Sequence, residues 1–187
     1  MIRYYITDRH SAGGIEPLLG CIDRAIQDGV ERIQIREKDL ASRDLVALTR
    51  RAVEIARGQR TRILVNGRTD IALAAGAHGV HLPADSVSPQ CLRTLVPPGF
   101  LIGVSTHSRN EILCAQEEGA DFVVFGPVFH PRSKVSTISP QGIQGLEHAV
   151  RGVTIEVLAL GGITRTNAPG CLRAGARGVA AISLFQE

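Results

Sequence analysis

Eight short apolar runs alternate with amphipathic segments along the whole chain, and no other feature of the sequence restricts its fold so tightly. The runs cover residues 3–7, 32–36, 62–66, 79–82, 101–105, 122–126, 155–160 and 179–183. Each is too short for a core helix, and together they read as strands buried on both faces. Between them, residues 42–57 carry an apolar stripe of Leu45, Leu48, Ala52, Val53 and Ile55. Residues 108–118 open with Ser108 and, three residues on, Glu111, the pattern of a capping box. Three of the helical patterns close on a glycine, at Gly29, Gly119 and Gly175, the expected left-handed stop before the next strand. Strand–helix units of this spacing pair in parallel through right-handed crossovers, and eight of them close into an α/β fold, a (β/α)8 barrel of the TIM type. The alternative is a doubly wound open sheet, but its GxGxxG fingerprint is absent: the first run leads into Asp8-Arg9-His10.

The 187 residues form one barrel domain, residues 1–187, shorter than the about 250 usual for the fold. The chain stops at Leu184-Phe185-Gln186-Glu187, directly after the eighth run, so the eighth helix is short or missing. The resulting gap between the last and first helices predicts an apolar groove suited to a partner subunit, and hence a homo-oligomer. With aromatics at 4% and no tryptophan, the core is expected to consist of Ile, Val, Leu and Ala. A formal charge of +3, with Lys and Arg scattered, argues against a nucleic-acid partner. The four cysteines form no CxxC pair and read as free, buried thiols of a reducing compartment. No stretch is apolar enough for a signal peptide or a membrane span, so a cytoplasmic location is expected.

Barrels of this type bind ligands at the C-terminal ends of their strands, often with a phosphate on the last two loops. Run two ends Gln34-Ile35-Arg36-Glu37-Lys38, and strand alternation would send Gln34, Arg36 and Lys38 to one side. An amide, a guanidinium and an ammonium in one row suit phosphate or diphosphate oxygens; the plainer alternative is a strand end where Glu37 and Asp39 balance the cations. Asn66, closing run three, would bond a heterocycle or cap the helix after it, and Arg68 with Asp70 would pair at the mouth. His81 is either a core histidine or a substrate contact. Ser105 would donate to a phosphate oxygen, and His107 is placed to move a proton near neutral pH. After run six a long loop reaches to about Gly142 and holds His130 and Lys134, the latter suited to closing over an anion. Gly161 and Gly162 end run seven, where small residues let backbone N–H groups approach an oxyanion at a helix N-terminus. With Ser183 they make the expected phosphate cup.

As a set, these strand ends resemble the thiamine phosphate synthase family over residues 4–185. The resemblance rests on Gln34-Ile-Arg-Glu-Lys38, Asn66-Gly-Arg-Thr-Asp-Ile-Ala-Leu73, Gly79-Val-His-Leu82, Gly103-Val-Ser105, Gly119-Ala-Asp121, Gly126-Pro-Val-Phe129, Lys134 and Ala159-Leu-Gly-Gly-Ile163. It implies enzymes that join a pyrimidine diphosphate to a thiazole phosphate, giving thiamine phosphate and diphosphate. In that picture Gln34, Arg36, Lys38, Ser105 and Lys134 fall where the family holds diphosphate, and Gly161, Gly162 and Ser183 where it holds the thiazole phosphate.

The sequence departs from the synthase pattern at its metal site. Where synthases carry an aspartate for Mg²⁺ this chain has Gly67; a second such aspartate aligns with Ser86, beside Asp85, and a loop threonine aligns with Pro131. A divalent ion without carboxylates loses its hard oxygen anchors. Asn66-Gly-Arg with Leu82-Pro-x-x-Ser-x-Ser-Pro89 resembles the TenI-type thiazole tautomerases, which shift a proton on a thiazole carboxylate phosphate and need no metal. The histidine that branch uses after strand six is Pro127 here, leaving His107 and His130 as the nearby substitutes. The sequence therefore leads to a cofactor-free, TenI-like tautomerase, with thiazole phosphate or thiamine phosphate as its small-molecule partner. A Mg²⁺-dependent thiamine phosphate synthase and a non-catalytic phosphate-binding regulator are the alternatives.

Overall fold

The computed structural model describes residues 1–130 and 139–186. Eight parallel strands, β1 (Ile2–Ile6), β2 (Arg32–Ile35), β3 (Arg62–Asn66), β4 (Gly79–Leu82), β5 (Leu101–Thr106), β6 (Phe122–Phe125), β7 (Glu156–Leu160) and β8 (Gly178–Ala181), close in sequence order into a barrel. Registers such as Ile6 beside Gln34 and Tyr4 beside Ala180 join β1 to both neighbours and complete the ring. The strands begin and end within about two residues of the apolar runs, because each run is the part of its segment that can be buried on both faces.

The outer ring consists of α1 (Arg9–Ala12), α2 (Ile15–Gln27), α3 (Ser42–Ile55), α4 (Thr69–Ala75), α5 (Pro89–Arg93), α6 (Arg109–Glu117), α7 (Gly142–Val150) and α8 (Ala168–Arg173). The three glycine stops close as paired 6→1 and 5→2 bonds: Val30 N–H donates to Ala25 O and Gly29 N–H to Ile26 O, with the same pattern at Gly119–Ala120 and Gly175–Ala176. At α6, Ser108 accepts from Glu111 N–H as the capping box requires, but the Glu111 carboxylate reaches back to His107 N–H at 2.8 Å, one residue earlier. After β8 the chain forms a 3-10 turn, Ser183–Phe185. Beside it lies a hollow of about 500 Å³ lined by Ala25, Val30, Leu172, Val179 and Phe185 with Arg24 and Arg165. No helix among the described residues is long and apolar enough to cross a membrane.

Between barrel and helices the core is mostly Ile, Val, Leu and Ala, with Tyr5, Phe100 and Phe125 among them. Inside the barrel the smaller core is aliphatic too, apart from two aromatic rings. There Tyr4 and Phe122 pack edge to face at 5.4 Å, with Leu64, Leu158 and Ala180 around them. Gly103 makes room, since a Cβ on it would lie 2.2 Å from the Phe122 ring. At the floor Arg32 stacks 4.3 Å over Phe122 and pairs with Glu156 at 2.6 Å, spanning β2 to β7. A closed barrel of inward side chains needs few residues, and large ones fill it best. The cysteine expectation also needs correction: Cys21 and Cys171 are buried, but Cys91, on α5, and Cys114 are exposed, because they fall on the solvent side of short helices.

Candidate active site

The mouth of the barrel carries almost all of the polar strand ends, and two groups of them stand out. The first lies on β2 to β5. Gln34 is 2% exposed and donates to the Tyr4 hydroxyl at 2.9 Å, so it lies inside the barrel beneath the mouth. Burial holds the Tyr4 phenol well above its usual range, against the Gln34 bond, which acts to lower it. Strand β2 ends at Ile35, and a Glu37–Leu40 turn comes after it, so strand alternation does not carry on to Lys38. The row expected of Gln34, Arg36 and Lys38 is thus broken: Gln34 is buried, Arg36 half-buried, and Lys38 exposed beside Asn66, Gly67 and Arg68 around a hollow of about 300 Å³.

The balancing carboxylates are also elsewhere than expected. Glu37, 3% exposed, accepts from the Thr7 hydroxyl, from Arg9 N–H and from the Arg9 guanidinium. Asp39 takes both Arg9 nitrogens and the His10 imidazole, and those bonds hold its carboxyl well below the usual range. Strand order explains this: β1 lies beside β2, so the cations of the first loop reach these acids. Among the described residues, neither Arg36 nor Lys38 forms a salt bridge.

On β3 the Asn66 side chain makes no hydrogen bond among the described residues, and it does not cap α4, whose N-cap is Arg68. Arg68 and Asp70 do pair, through two bonds of 2.9 and 2.6 Å. His81, on β4, is 3% exposed and lies beneath the mouth among Tyr4, Phe122 and Ser105. Burial, then the nearby Arg36 charge, pushes its pKa down to about 3, so the imidazole is neutral at physiological pH. Its Nε2 lies 2.9 Å from Ser105 Oγ. His107 Nδ1 lies 2.6 Å from the Gly126 carbonyl, which can only accept, so Nδ1 carries a proton and Nε2 is the nitrogen left to face other partners. His130 is exposed, and Lys134 lies outside the described residues.

The second group lies on β7 and β8. Gly162 has φ +60°, and a Cβ there would stand 2.4 Å from the His130 carbonyl oxygen. Gly161 meets Pro127 Cα in the same way at 2.7 Å. These glycines thus let the loop after β6 dock backbone to backbone, with Phe129 N–H donating to Gly161 O at 3.0 Å. Helix α8 does not start at the glycines but at Ala168, so the helix terminus expected beside them is displaced. Asn167 closes the interval by donating to Gly162 O and accepting from Thr164 N–H, both at 2.8 Å. Ser183 is exposed and opens the 3-10 turn rather than ending a strand. Asn167 and Thr7 escape a reading of strand ends. The Thr164–Asn167 spacing is a local signal for the first; the second becomes a partner of Glu37 only through the pairing of β1 with β2.

A Mg²⁺ ion held as the synthases hold it does not fit these residues. Position 67 is glycine at φ +64°, Asp70 is committed to Arg68, and Asp85 and Ser86 are exposed. Among the described residues no group of three or more His, Cys, Asp or Glu is arranged for a metal.

Residues 3–185 match the sequence model of a family described as thiamine monophosphate synthase. A putative thiamine-phosphate synthase of Geobacter sulfurreducens is 46% identical over 96% of this chain and 84% of its own length. A thiamine-phosphate synthase of Roseiflexus sp. is 37% identical over 97% of this chain and 77% of its own. Among solved structures, a thiamine phosphate pyrophosphorylase from Pyrococcus furiosus superposes with a TM-score of 0.86 at 31% identity, over all of this chain and 88% of that one.

Proposed function

This chain belongs to the thiamine monophosphate synthase family, and on that premise we propose that it joins hydroxymethylpyrimidine diphosphate to a thiazole phosphate, forming thiamine phosphate and releasing diphosphate. The C–O bond to diphosphate breaks with its electron pair leaving on diphosphate, while the thiazole nitrogen supplies the pair for the new C–N bond. Such a step needs a held leaving anion and aligned partners more than a base. The observation that carries the reading is the pair of cations, Arg36 and Lys38, unbalanced at the mouth among the described residues because Arg9 and His10 occupy the neighbouring carboxylates. Arg36, Lys38 and Ser105 then hold diphosphate, Asn66 faces the pyrimidine, and Gly161, Gly162 and Ser183 hold the thiazole phosphate. Lys134 belongs with the diphosphate group in this reading. The relatives' names support the synthase over the tautomerase that the sequence alone favours.

A second reading, thiazole tautomerase, has one specific support: the Gly126 carbonyl engages Nδ1 of His107 and leaves Nε2 as the nitrogen that could exchange a proton with substrate. The two separate in one assay. Purified protein given both substrates, with and without Mg²⁺, is expected to make thiamine phosphate and diphosphate in a 1:1 ratio. No product with the two substrates, together with isomerisation of the thiazole carboxylate phosphate, would replace the synthase by the tautomerase.

A further inference from the structure

His81 makes one polar contact, and its other ring nitrogen makes none. Nε2 lies 2.9 Å from Ser105 Oγ, while Nδ1 is buried without a hydrogen-bond partner among the described residues. The ring sits 5.7 Å from Tyr4 and 5.9 Å from Phe122, in the aromatic layer under the mouth. A neutral imidazole has one N–H and one lone pair, so two arrangements are open. With the proton on Nδ1, a buried N–H has no acceptor, and the single Ser105 proton is spent pointing inward at Nε2. With the proton on Nε2, the unpartnered atom is only a lone pair, and Ser105 keeps its O–H. Orphaned buried N–H groups are rarer than under-used acceptors, which favours the second.

We infer that His81 is a positioning residue: its Nε2–H donates to Ser105 Oγ and so turns the serine hydroxyl outward as a donor to an anionic oxygen at the mouth. Burial among Tyr4 and Phe122 keeps the imidazole neutral, and the Arg36 charge above disfavours a second proton, so the direction of the bond holds across the working pH range. An imidazolium would donate from both nitrogens and leave no choice of tautomer; the neutral ring has that choice, and the buried Nδ1 decides it. The inference rests on the proposed function only in assigning the outer oxygen to diphosphate.

The tautomer is read directly in the full-length, ¹⁵N-labelled protein from two-bond ¹H–¹⁵N correlations of its six histidines, with His81 assigned by its loss in His81→Gln. Protonated Nε2 with bare Nδ1 at neutral pH is the expected result; protonated Nδ1 would overturn the inference. Binding of inorganic diphosphate gives the second arm. His81→Gln, whose amide can donate near the Nε2 position, should hold affinity within about 3-fold, while His81→Leu and Ser105→Ala should each lose about 10-fold. The double variant should lose no more than either single one; a multiplied loss of about 100-fold would mean that the two residues act independently, against the inference. Absence of diphosphate binding by the unaltered protein would fail the ligand reading alone, and the tautomer would still be decided by the spectrum.

Discussion

The two regions of this mouth proposed to hold anions are made of different material. The cup at Gly161 and Gly162 is backbone, enforced by loop docking that leaves no space for a side chain. The arm at Arg36, Lys38 and Ser105 is side chain, and its cations are available because neighbouring acids are engaged elsewhere. A backbone cup tolerates almost no substitution, since any Cβ displaces the loop it is packed against. A side-chain arm can be weakened in steps, one charge or one proton at a time. The first is set by shape, the second by electrostatic balance.

The largest break in this contrast is expected from Gly162→Ala. The new Cβ meets the His130 carbonyl and takes a φ that alanine disfavours, so the loop after β6 must move. Steady-state turnover should fall by about 100-fold, as displacements near 1 Å do, while circular dichroism shows the barrel still folded. Arg36→Ala should cost less, about 10- to 100-fold in diphosphate affinity, the worth of one charge-assisted contact. Titration calorimetry at two salt concentrations checks it: the loss should shrink as salt rises, whereas the Gly162 effect should not.

The pH dependence of stability tests the buried support of the arm. The folded pKa of His81 is depressed to about 3 from an unfolded value near 6.5. Between those values the unfolded chain binds the extra proton, so stability is full above about pH 6.5 and falls as pH drops toward 3. Denaturant unfolding should show His81→Gln losing less stability over this window than the unaltered protein, by on the order of a few kcal/mol. Equal slopes would place the imidazole in water rather than under the mouth.

The smallest effect is expected at Gly67→Asp. The position has φ +64°, which aspartate tolerates better than most residues, and its Cβ would meet only Pro83 at 3.6 Å. A stability loss of about 1 kcal/mol is expected, together with a gain in Mg²⁺ affinity seen by calorimetry. An unchanged metal affinity would show that the missing acid is not what separates this mouth from a metal-holding one.

The barrel was legible because burial on both faces leaves a plain mark: short apolar runs, each bounded by a glycine stop or a polar mouth residue. The glycine pair was legible as a place where no side chain can stand, and the structure gives it a use the strand ends do not announce, docking the loop after β6. The arm was only half legible. Gln34, Arg36 and Lys38 are spaced as a strand row, but the chain leaves the strand after Ile35, and hydrogen bonding rather than alternation places the residues beyond it. His81 looked like a lone histidine, since nothing local announces its contact with Ser105 on the next strand.

By itself, then, the sequence determined the order of the strands and the closing of the ring. These arise from local periodicity and from the few ways parallel units can pack. Only the tertiary structure decided which charges stay unbalanced and which nitrogen of His81 is satisfied. Arg9 and Asp39 are thirty residues apart in sequence and bonded in space. Electrostatic balance is a property of neighbours, and in a barrel most neighbours come from the adjoining strand.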